Sequence, residues 1–435
     1  MDIRNDQRIY RAFAHHTMGK KHEKENICQD YADKDDNFSE NSLAIAIVAD
    51  GHGSPENFRS DKGSEQAVKS ALSAIKEFVA DLNFSAENVA AAEIHDKLHS
   101  LVNNIIASWK EAVEADEKNS PLKEDEKIQA LADKYKDRYH NIYQDPENPK
   151  THHIHQAYGT TLLAVAATEY YWFGLHIGDG KCEVLFEDGQ WAQPIPWDKR
   201  CFLNATTSMC DNDAQSGFRY WFGYKNLNGE VLEFTYGPDS GFIDTERKSG
   251  TRPVAIFIGS DGVDDTYPVY KNEKYLKQLY RVVVINFAKD DFDRSCEHIK
   301  GLSEHFAQKG SQDDVSIAGI VLDKFDGELI DILSKQHEID KANEKAIAAQ
   351  KNAEAKGRAH QAELARLEKL KKQEVEFENK DQSTKQEFDQ SINEQIITQQ
   401  DKAIIAEAEL KNAEDEAKQL EEQCHTLESK SQTAS

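Results

Sequence analysis

The chain has 435 residues and a formal net charge of −26, with 79 acidic side chains against 53 basic ones. A chain of this length has room for at least two structural units. Its negative charge disfavours nucleic acid and anionic membrane surfaces as general partners. We find neither the basic-then-apolar order of a secretory signal nor a run of roughly 20 apolar residues, and the six cysteines form no CxxC pair, so we expect a soluble cytoplasmic protein with free thiols.

Apolar runs alternate with turn residues through the first 326 positions. The run 43–49 predicts a buried strand, and the apolar spacing of 64–82 predicts a helix. The charged segment 110–157 is interpreted as an insertion. Further strands are predicted at 160–167, 170–177, 181–186, 231–236, 253–258 and 315–322. This order indicates layered sheets with helices outside.

Composition changes near Gly327, which predicts a domain of residues 1–326 and a tail of residues 327–435. The tail contains no proline, and its apolar residues recur at spacings of three and four, which is typical of coiled-coil helices. The polar stretch 379–384 interrupts the pattern, so an antiparallel hairpin and one continuous rod are both open. We interpret the tail as a surface for a protein partner or for self-association, and a solvated helix without a partner is the alternative.

Acidic residues stand at the ends of several predicted strands. They are Asp50, Asp179, Asp261, Asp313 and Asp314. One Asp-Gly pair usually marks only a turn, which is our interpretation of Asp188-Gly189. Several such acids in neighbouring strands would crowd like charges unless a cation neutralised them. A cluster of oxygen ligands alone favours Mg²⁺ or Mn²⁺ over zinc.

Six short motifs follow one another along the chain: CQD at 28–30, DGHG at 50–53, GTT at 159–161, GDGK at 178–181, SDGVDD at 260–265 and SQDDVS at 311–316. In this order they resemble the motifs of the metal-dependent serine/threonine protein phosphatases of the protein phosphatase 2C family, from about residue 10 to residue 323. The resemblance implies an α+β fold, an αββα sandwich of two packed antiparallel sheets flanked by helices. It also implies a two-metal centre in the cleft between the sheets.

The resemblance implies a set of metal ligands. Asp50 would bridge two Mg²⁺ or Mn²⁺ ions, and the carbonyl oxygen of Gly51 would bind one of them. The remaining protein oxygens would come from Asp30, Asp261 and Asp313. Asp265 matches an acid that many members use for a third ion, but the usual partner acid before GTT is absent.

Other positions are implied to act on the substrate. His52 would be the catalytic acid that protonates the departing oxygen, and a histidine that only caps its turn is the alternative. Where many members carry a phosphate-binding arginine, this chain has Lys21 and His22, which we name as phosphate contacts.

Several further residues lie where the chain departs from the family pattern. Asp314 stands where asparagine is usual, so either Asp313 or Asp314 could be the ligand, and we prefer Asp313. GDGK differs from the more usual GDSR, and its Asp179 is interpreted as structural, with hydrogen bonds near the metal site rather than to a metal ion. His152, His153 and His155 are expected in an exposed loop or edge strand.

The segment 191–251 corresponds to the family's variable flap. Its aromatic residues would either line a groove or fill a small separate core.

The expected function is hydrolysis of phosphoserine and phosphothreonine in proteins by a water molecule that two metal ions activate. The alternative is a catalytically weak or inactive relative that binds phosphoproteins as a sensor or scaffold and acts through its coiled-coil tail.

Overall fold

The structure is a computed structural model that describes residues 9–24, 26–37, 43–81, 91–131, 133–140, 152–202, 205–226, 228–237, 241–245, 251–378 and 385–432. The chain divides into two compact units, Met1–Ile330 and Asp331–Ser435. The first unit contains every β-strand found in these ranges, and the second consists of helix.

Two antiparallel sheets form the centre of the first unit. In the described ranges the strands are β1 (Tyr10–Thr17), β2 (Tyr31–Asn37), β3 (Leu43–Ala49), β4 (Leu162–Ala167), β5 (Tyr171–Ile177), β6 (Lys181–Phe186), β7 (Trp191–Ala192), β8 (Arg219–Lys225), β9 (Val231–Gly237), β10 (Gly241–Thr245), β11 (Pro253–Gly259) and β12 (Val315–Leu322). The smaller sheet has the order β1-β12-β11-β6-β7, and the larger has the order β10-β9-β8-β5-β4-β3-β2.

Helices cover the outer faces of both sheets. The α-helices of the described ranges are α1 (Ser60–Asp81), α2 (Ala91–Asn119), α3 (Asp133–His140), α4 (His152–Ala157), α5 (Ala214–Gly217), α6 (Asp261–Asp264), α7 (Asn272–Lys289) and α8 (Phe292–Lys309), followed by the long α9 (Gly327–Glu378) and α10 (Lys385–Gln432). Helix α1 packs on β2 and β3, whereas α8 packs on β1 and β12. The predicted class, two antiparallel sheets flanked by helices with long C-terminal helices, is confirmed.

The inner strands are apolar along their whole length because both of their faces are covered. Strand β3 reads LAIAIVA, and six of its seven residues are buried. Strand β12 reads VSIAGIVL and is buried throughout. A strand buried on both faces loses the alternation of apolar and polar residues, so these runs were visible in the sequence as continuous apolar segments.

The aromatic residues of 191–251 belong to the larger sheet. Strand β8 pairs with β5 on one side and β9 on the other. Tyr220, Phe222 and Tyr224 are buried in the same core as α1 and α2. They therefore form neither a groove nor a small separate core, because strand pairing places them in the middle of the main sheet.

The segment 110–157 packs on the main core where it is described. Leu122, Ile128 and Tyr139 are buried in the core under the larger sheet. His155 lies in α4 and is buried, with its Nε2 atom 2.9 Å from Glu114 Oε1. The expectation of an exposed loop is therefore wrong for His155, because α4 packs against α2. The side chains of His152 and His153 lie outside the described residues.

Within the described ranges, none of the helices combines the length and the apolar content that a membrane span requires.

Glu183 on β6 provides a test of buried charge in the smaller sheet. Its side chain is fully buried, Oε1 accepts a hydrogen bond from Gln193 Nε2 at 2.5 Å, and Oε2 has no partner among the described residues. Burial raises the pKa of this carboxyl from 4.5 to about 7. Between these two pH values the unfolded chain has lost a proton that the folded chain keeps, so this residue lowers stability as pH rises.

We expect Glu183→Gln to remove this contribution. The variant should be more stable than the wild type by about 1–3 kcal/mol at pH 8 and nearly equal to it at pH 5. Urea unfolding at both pH values measures the difference, and Glu77→Gln on the exposed face of α1 serves as the control. An equal effect of Glu183→Gln at both pH values would contradict the prediction.

Candidate active site

One cavity of about 620 Å³ collects acids from separate strand ends. Asp30 directly precedes β2, Asp50 follows β3, Asp179 follows β5, Asp261 follows β11, and Asp313 lies just before β12. All five line the cavity, together with Asp211, Asp265 and Asp314. Residues that are far apart along the chain are thus brought together because both sheets turn these strand ends toward one cleft.

Hydrogen bonds between two loops hold the backbone of the DGHG motif. Asp50 N donates to Thr161 Oγ1 at 3.0 Å, and Thr161 N donates to the Asp50 carbonyl at 2.8 Å. The hydroxyl of Thr160 donates to the same carbonyl at 2.8 Å. His52 N donates to the carbonyl of Gly159 at 3.0 Å. The DGHG and GTT motifs therefore form one structural unit at the edge of the cavity.

Asp30 is held from the smaller sheet. The hydroxyl of Ser260 donates to Asp30 Oδ2 at 2.7 Å, and Ser316 N donates to the hydroxyl of Ser260 at 3.0 Å. The Asp30 side chain is 3% exposed. Burial, and then the charge of Asp314, raise the pKa of Asp30 well above its usual value despite the hydrogen bond from Ser260. The hydrogen bond from Ser260 therefore holds this carboxylate in place, although burial and the charge of Asp314 disfavour its ionised form.

The pKa values of the other central acids are raised for the same reasons. Burial raises the pKa of Asp50 well above its usual value, and Asp30 and Asp261 add to the shift. Burial raises the pKa of Asp261 to about 6, although its hydrogen bond with Asp50 opposes the shift. Burial, followed by the charges of Asp179 and Asp313, raises the pKa of Asp265. Such a group of carboxylates is stabilised by bound protons or by bound cations.

The donor set fits small divalent cations. In the part of the chain that the structure describes, no three His, Cys, Asp or Glu side chains already converge as a ready-made metal site. The carboxylates instead share a polar cavity with room for water. This arrangement suits Mg²⁺ and Mn²⁺, because Mg²⁺ keeps several of its waters and binds through few carboxylates, whereas zinc sites use closed sets of nitrogen and sulfur ligands.

Asp313 and Asp314 have different environments. Asp314 is buried and accepts hydrogen bonds from Gly19 N at 2.7 Å and Gln29 N at 2.6 Å. The Asp313 side chain is 39% exposed and contacts Lys21 Nζ at 2.8 Å. Asp313 Oδ1 also accepts a hydrogen bond from Asp314 N at 3.1 Å. Both acids therefore have backbone donors, and Asp313 is the more exposed member of the pair.

Lys21 and His22 lie beside these acids. A hydrogen bond to Asp313 raises the pKa of Lys21 above its usual value. His22 lines the cavity, with Nδ1 3.0 Å from Asp314 Oδ2 and Nε2 3.9 Å from Asp313 Oδ1. Both side chains are therefore at the acidic side of the cavity.

His52 lines the cavity and is partly buried. Burial lowers the pKa of its imidazole to about 4, so the ring is neutral at pH 7 in this structure. The role of catalytic acid needs a protonated ring. The ring would hold that proton near neutral pH only with an additional negative charge nearby, such as a phosphate group.

Asp179 was expected to be structural and near the metal site. It lines the cavity, and its charge acts on Asp50, Asp261 and Asp265. Other cavity residues were not found from the sequence. They form a wall of Ala205, Thr206, Ser208, Cys210 and Asp211 with Asn57 and Gln156. This wall is anchored because Met209 N and the Ser208 hydroxyl both donate to the carbonyl of Thr160. No sequence signal marks it, since only the folded chain brings 205–211 beside the GTT motif.

Close packing of the backbone leaves no room for a side chain at Gly51. A Cβ atom at this position would lie 2.6 Å from the Gln29 carbonyl oxygen and 2.8 Å from the Ser60 carbonyl oxygen. At Gly53 the nearest atom to a Cβ is the side-chain oxygen of Gln29 at 3.6 Å, an ordinary contact. The two glycines of one motif therefore differ in their tolerance of a methyl group.

We expect Gly51→Ala to displace the backbone that carries Asp50 and to lower the affinity for Mn²⁺ by about tenfold or more. Gly53→Ala should leave the affinity within about twofold. Titration calorimetry with Mn²⁺ compares the two variants, and equal affinities would show that the packing at Gly51 does not position the site.

The fold and the cavity define a two-sheet protein with an acid-rich site between its sheets. The family model described as protein phosphatase 2C matches residues 18–295, which is more than half of the chain. The chain belongs to this family of protein phosphatases, so the resemblance drawn from the six motifs is confirmed.

Several solved structures are similar to this chain. The catalytic domain of the serine threonine protein phosphatase PstP, in complex with two manganese ions, is 15% identical over 73% of this chain and 100% of that chain, with a TM-score of 0.38. PstP/Ppp of Mycobacterium tuberculosis is 13% identical over 72% of this chain and 99% of that one, with a TM-score of 0.37. Stp1 of Staphylococcus aureus is 13% identical over 72% and 95%, with a TM-score of 0.35. The comparison with curated proteins finds no match.

Proposed function

We propose that this protein is a Mg²⁺- or Mn²⁺-dependent phosphatase of phosphoserine and phosphothreonine in cytoplasmic proteins. The observation that carries the proposal is the gathering of five strand-end acids in one cavity, where burial and mutual repulsion favour a bound cation. Membership of the protein phosphatase 2C family supports the same reaction.

The ligands in this proposal are all oxygen atoms. Asp50 would bridge two ions, Gly51 would contribute its carbonyl oxygen, and Asp30, Asp261 and Asp313 would complete the protein ligands. Asp265 would serve a third, weaker position. Two divalent ions held there would lower the pKa of a water molecule so that hydroxide can attack phosphorus near neutral pH.

The surrounding residues would bind the substrate and move a proton. Lys21 and His22, which lie beside Asp313, would contact the phosphate oxygens. His52, neutral in this structure, would take up a proton as the phosphate enters and donate it to the departing serine or threonine oxygen. The wall at 205–211 would limit the access of water and of the peptide.

A weak or inactive phosphoprotein-binding relative is the second candidate. It is favoured by one observation, that no arginine is found among the described residues that line the cavity. Arginine binds phosphate through two parallel hydrogen bonds, whereas lysine acts as a point charge. The complete set of acids supports the active enzyme instead, since the loss of one ligand would suffice to abolish catalysis. In either case the tail would bind a protein partner or a second copy.

Asp50→Asn and Asp261→Asn test the metal site. Each should lower the hydrolysis of a phosphothreonine peptide in Mn²⁺ by about 10³-fold or more, because the nucleophile depends on the metal ions. EDTA should have the same effect on the wild type. Asp188→Asn, in an exposed Asp-Gly turn away from the cavity, is the control and should retain activity. Hydrolysis that is indifferent to EDTA would refute metal dependence.

His52→Ala tests the proton donor. We expect a loss of about 10²-fold on a phosphothreonine peptide, whose alkoxide leaving group needs a proton, and a much smaller loss on an aryl phosphate. Steady-state kcat values for the two substrates measure the contrast. Equal losses on both would assign His52 to structure or to binding.

A further inference from the structure

Helices α9 and α10 form an antiparallel hairpin, which settles the choice that the sequence left open between a hairpin and a rod. Asn343 Oδ1 accepts a hydrogen bond from Cys424 Sγ at 2.8 Å, and Lys356 Nζ contacts Glu409 at 2.6 Å. The Gln399 side chain donates to the carbonyl of Glu363 at 3.2 Å. The buried side chains of the seam between the helices are Ile339, Ala349, Ile392, Ile396, Ala403, Ala413 and Cys424.

A second set of apolar side chains is exposed on the same hairpin. Leu364 is 42% exposed, Ile397 is 57% exposed and Ile404 is 62% exposed. Leu364 directly follows the seam residue Glu363, while Ile397 and Ile404 follow Ile396 and Ala403. Ile347 and Val375, also exposed, follow their seam neighbours in the same way. One residue along a helix is a rotation of about 100°.

These side chains lie on one side of the hairpin. In two antiparallel helices that face each other, the residue directly after a seam residue points to the same flank of the hairpin on both helices. Leu364 and Ile397 lie at nearly the same height, because Glu363 faces Gln399, and Ile404 lies two turns, about 10 Å, further along α10. We call these three residues the flank patch. Ile405, 59% exposed, is one residue further round α10 and lies toward the other flank.

The facing stretches of the two helices carry opposite charge. Residues 341–372 of α9 contain nine basic and four acidic side chains, whereas residues 392–425 of α10 contain three basic and nine acidic ones. A second hairpin that packed α9 on α9 would bring like charges together. Two hairpins can instead be related by a two-fold axis parallel to the helices. This symmetry places α9 of one copy against α10 of the other and brings the two flank patches face to face.

We propose that a second copy of this chain docks on the flank patch, so that two hairpins form a four-helix bundle. The available surface is sufficient. The flank is two helix diameters wide, or about 20 Å, and a length of about 40 Å gives an area of about 800 Å² per copy. This is the area that each partner contributes to a standard protein interface. The alanine-rich seam buries little apolar area within one hairpin, so the added interface would stabilise both helices.

The mass of the full-length chain in solution tests the proposal. Light scattering after gel filtration should give twice 49.3 kDa at micromolar concentration for the wild type. Ile397→Glu with Ile404→Glu should give the monomer mass, with a dissociation constant raised about 100-fold or more. Ile405→Glu is the matched control and should remain dimeric. Circular dichroism should show that all three proteins keep their helices.

Any different result would contradict the proposal. A monomeric wild type would mean that another protein covers the patch or that nothing does. A dimer that survives the double substitution would use another surface. Loss of the dimer in Ile405→Glu as well would place the contact elsewhere on α10. None of these readouts uses hydrolysis, so failure here is separable from failure of the proposed phosphatase function.

Discussion

The crowding of carboxylates in the cavity is the constraint on which the rest of this structure depends. Asp30, which is buried, lies close to Asp50 and Asp261, which are partly buried, and burial and mutual repulsion raise the pKa of each. A folded chain tolerates such a cluster only when other interactions hold it in place. The hydrogen bonds from Ser260 to Asp30 and from Asp50 to Thr161 are interactions of that kind. The repulsion that they oppose is the reason why we propose cations for this cavity.

The two sheets make this arrangement possible because each sheet supplies acids to a shared edge. Asp50 comes from the larger sheet, and Asp261 and Asp313 come from the smaller one. The backbone around Asp50 is then fixed by the GTT motif, which in turn anchors the wall at 205–211. The long hairpin is a separate compact unit with its own contacts. The proposed phosphatase chemistry and the proposed self-association therefore involve different parts of the chain.

Sequence reasoning succeeded where one local cause dominated. Strands β3, β4 and β12 have long apolar runs because both faces are covered, so their positions were visible. It missed β2, which reads YADKDDN, because an edge strand can be charged and is held by pairing with β3. It missed β8 because aromatic residues near glycines were interpreted as a flap, whereas pairing with β5 and β9 placed them in the sheet.

The sequence by itself determined the family, the order of the acidic motifs and the change from globular to helical composition near Gly327, because each depends on residue types and spacing along the chain. Only the tertiary structure decided that the wall at 205–211 borders the cavity, that Asp314 is buried with two backbone donors while Asp313 is more exposed, and that α9 folds back on α10. These features depend on contacts between residues far apart in the chain, and local spacing carries no record of such contacts.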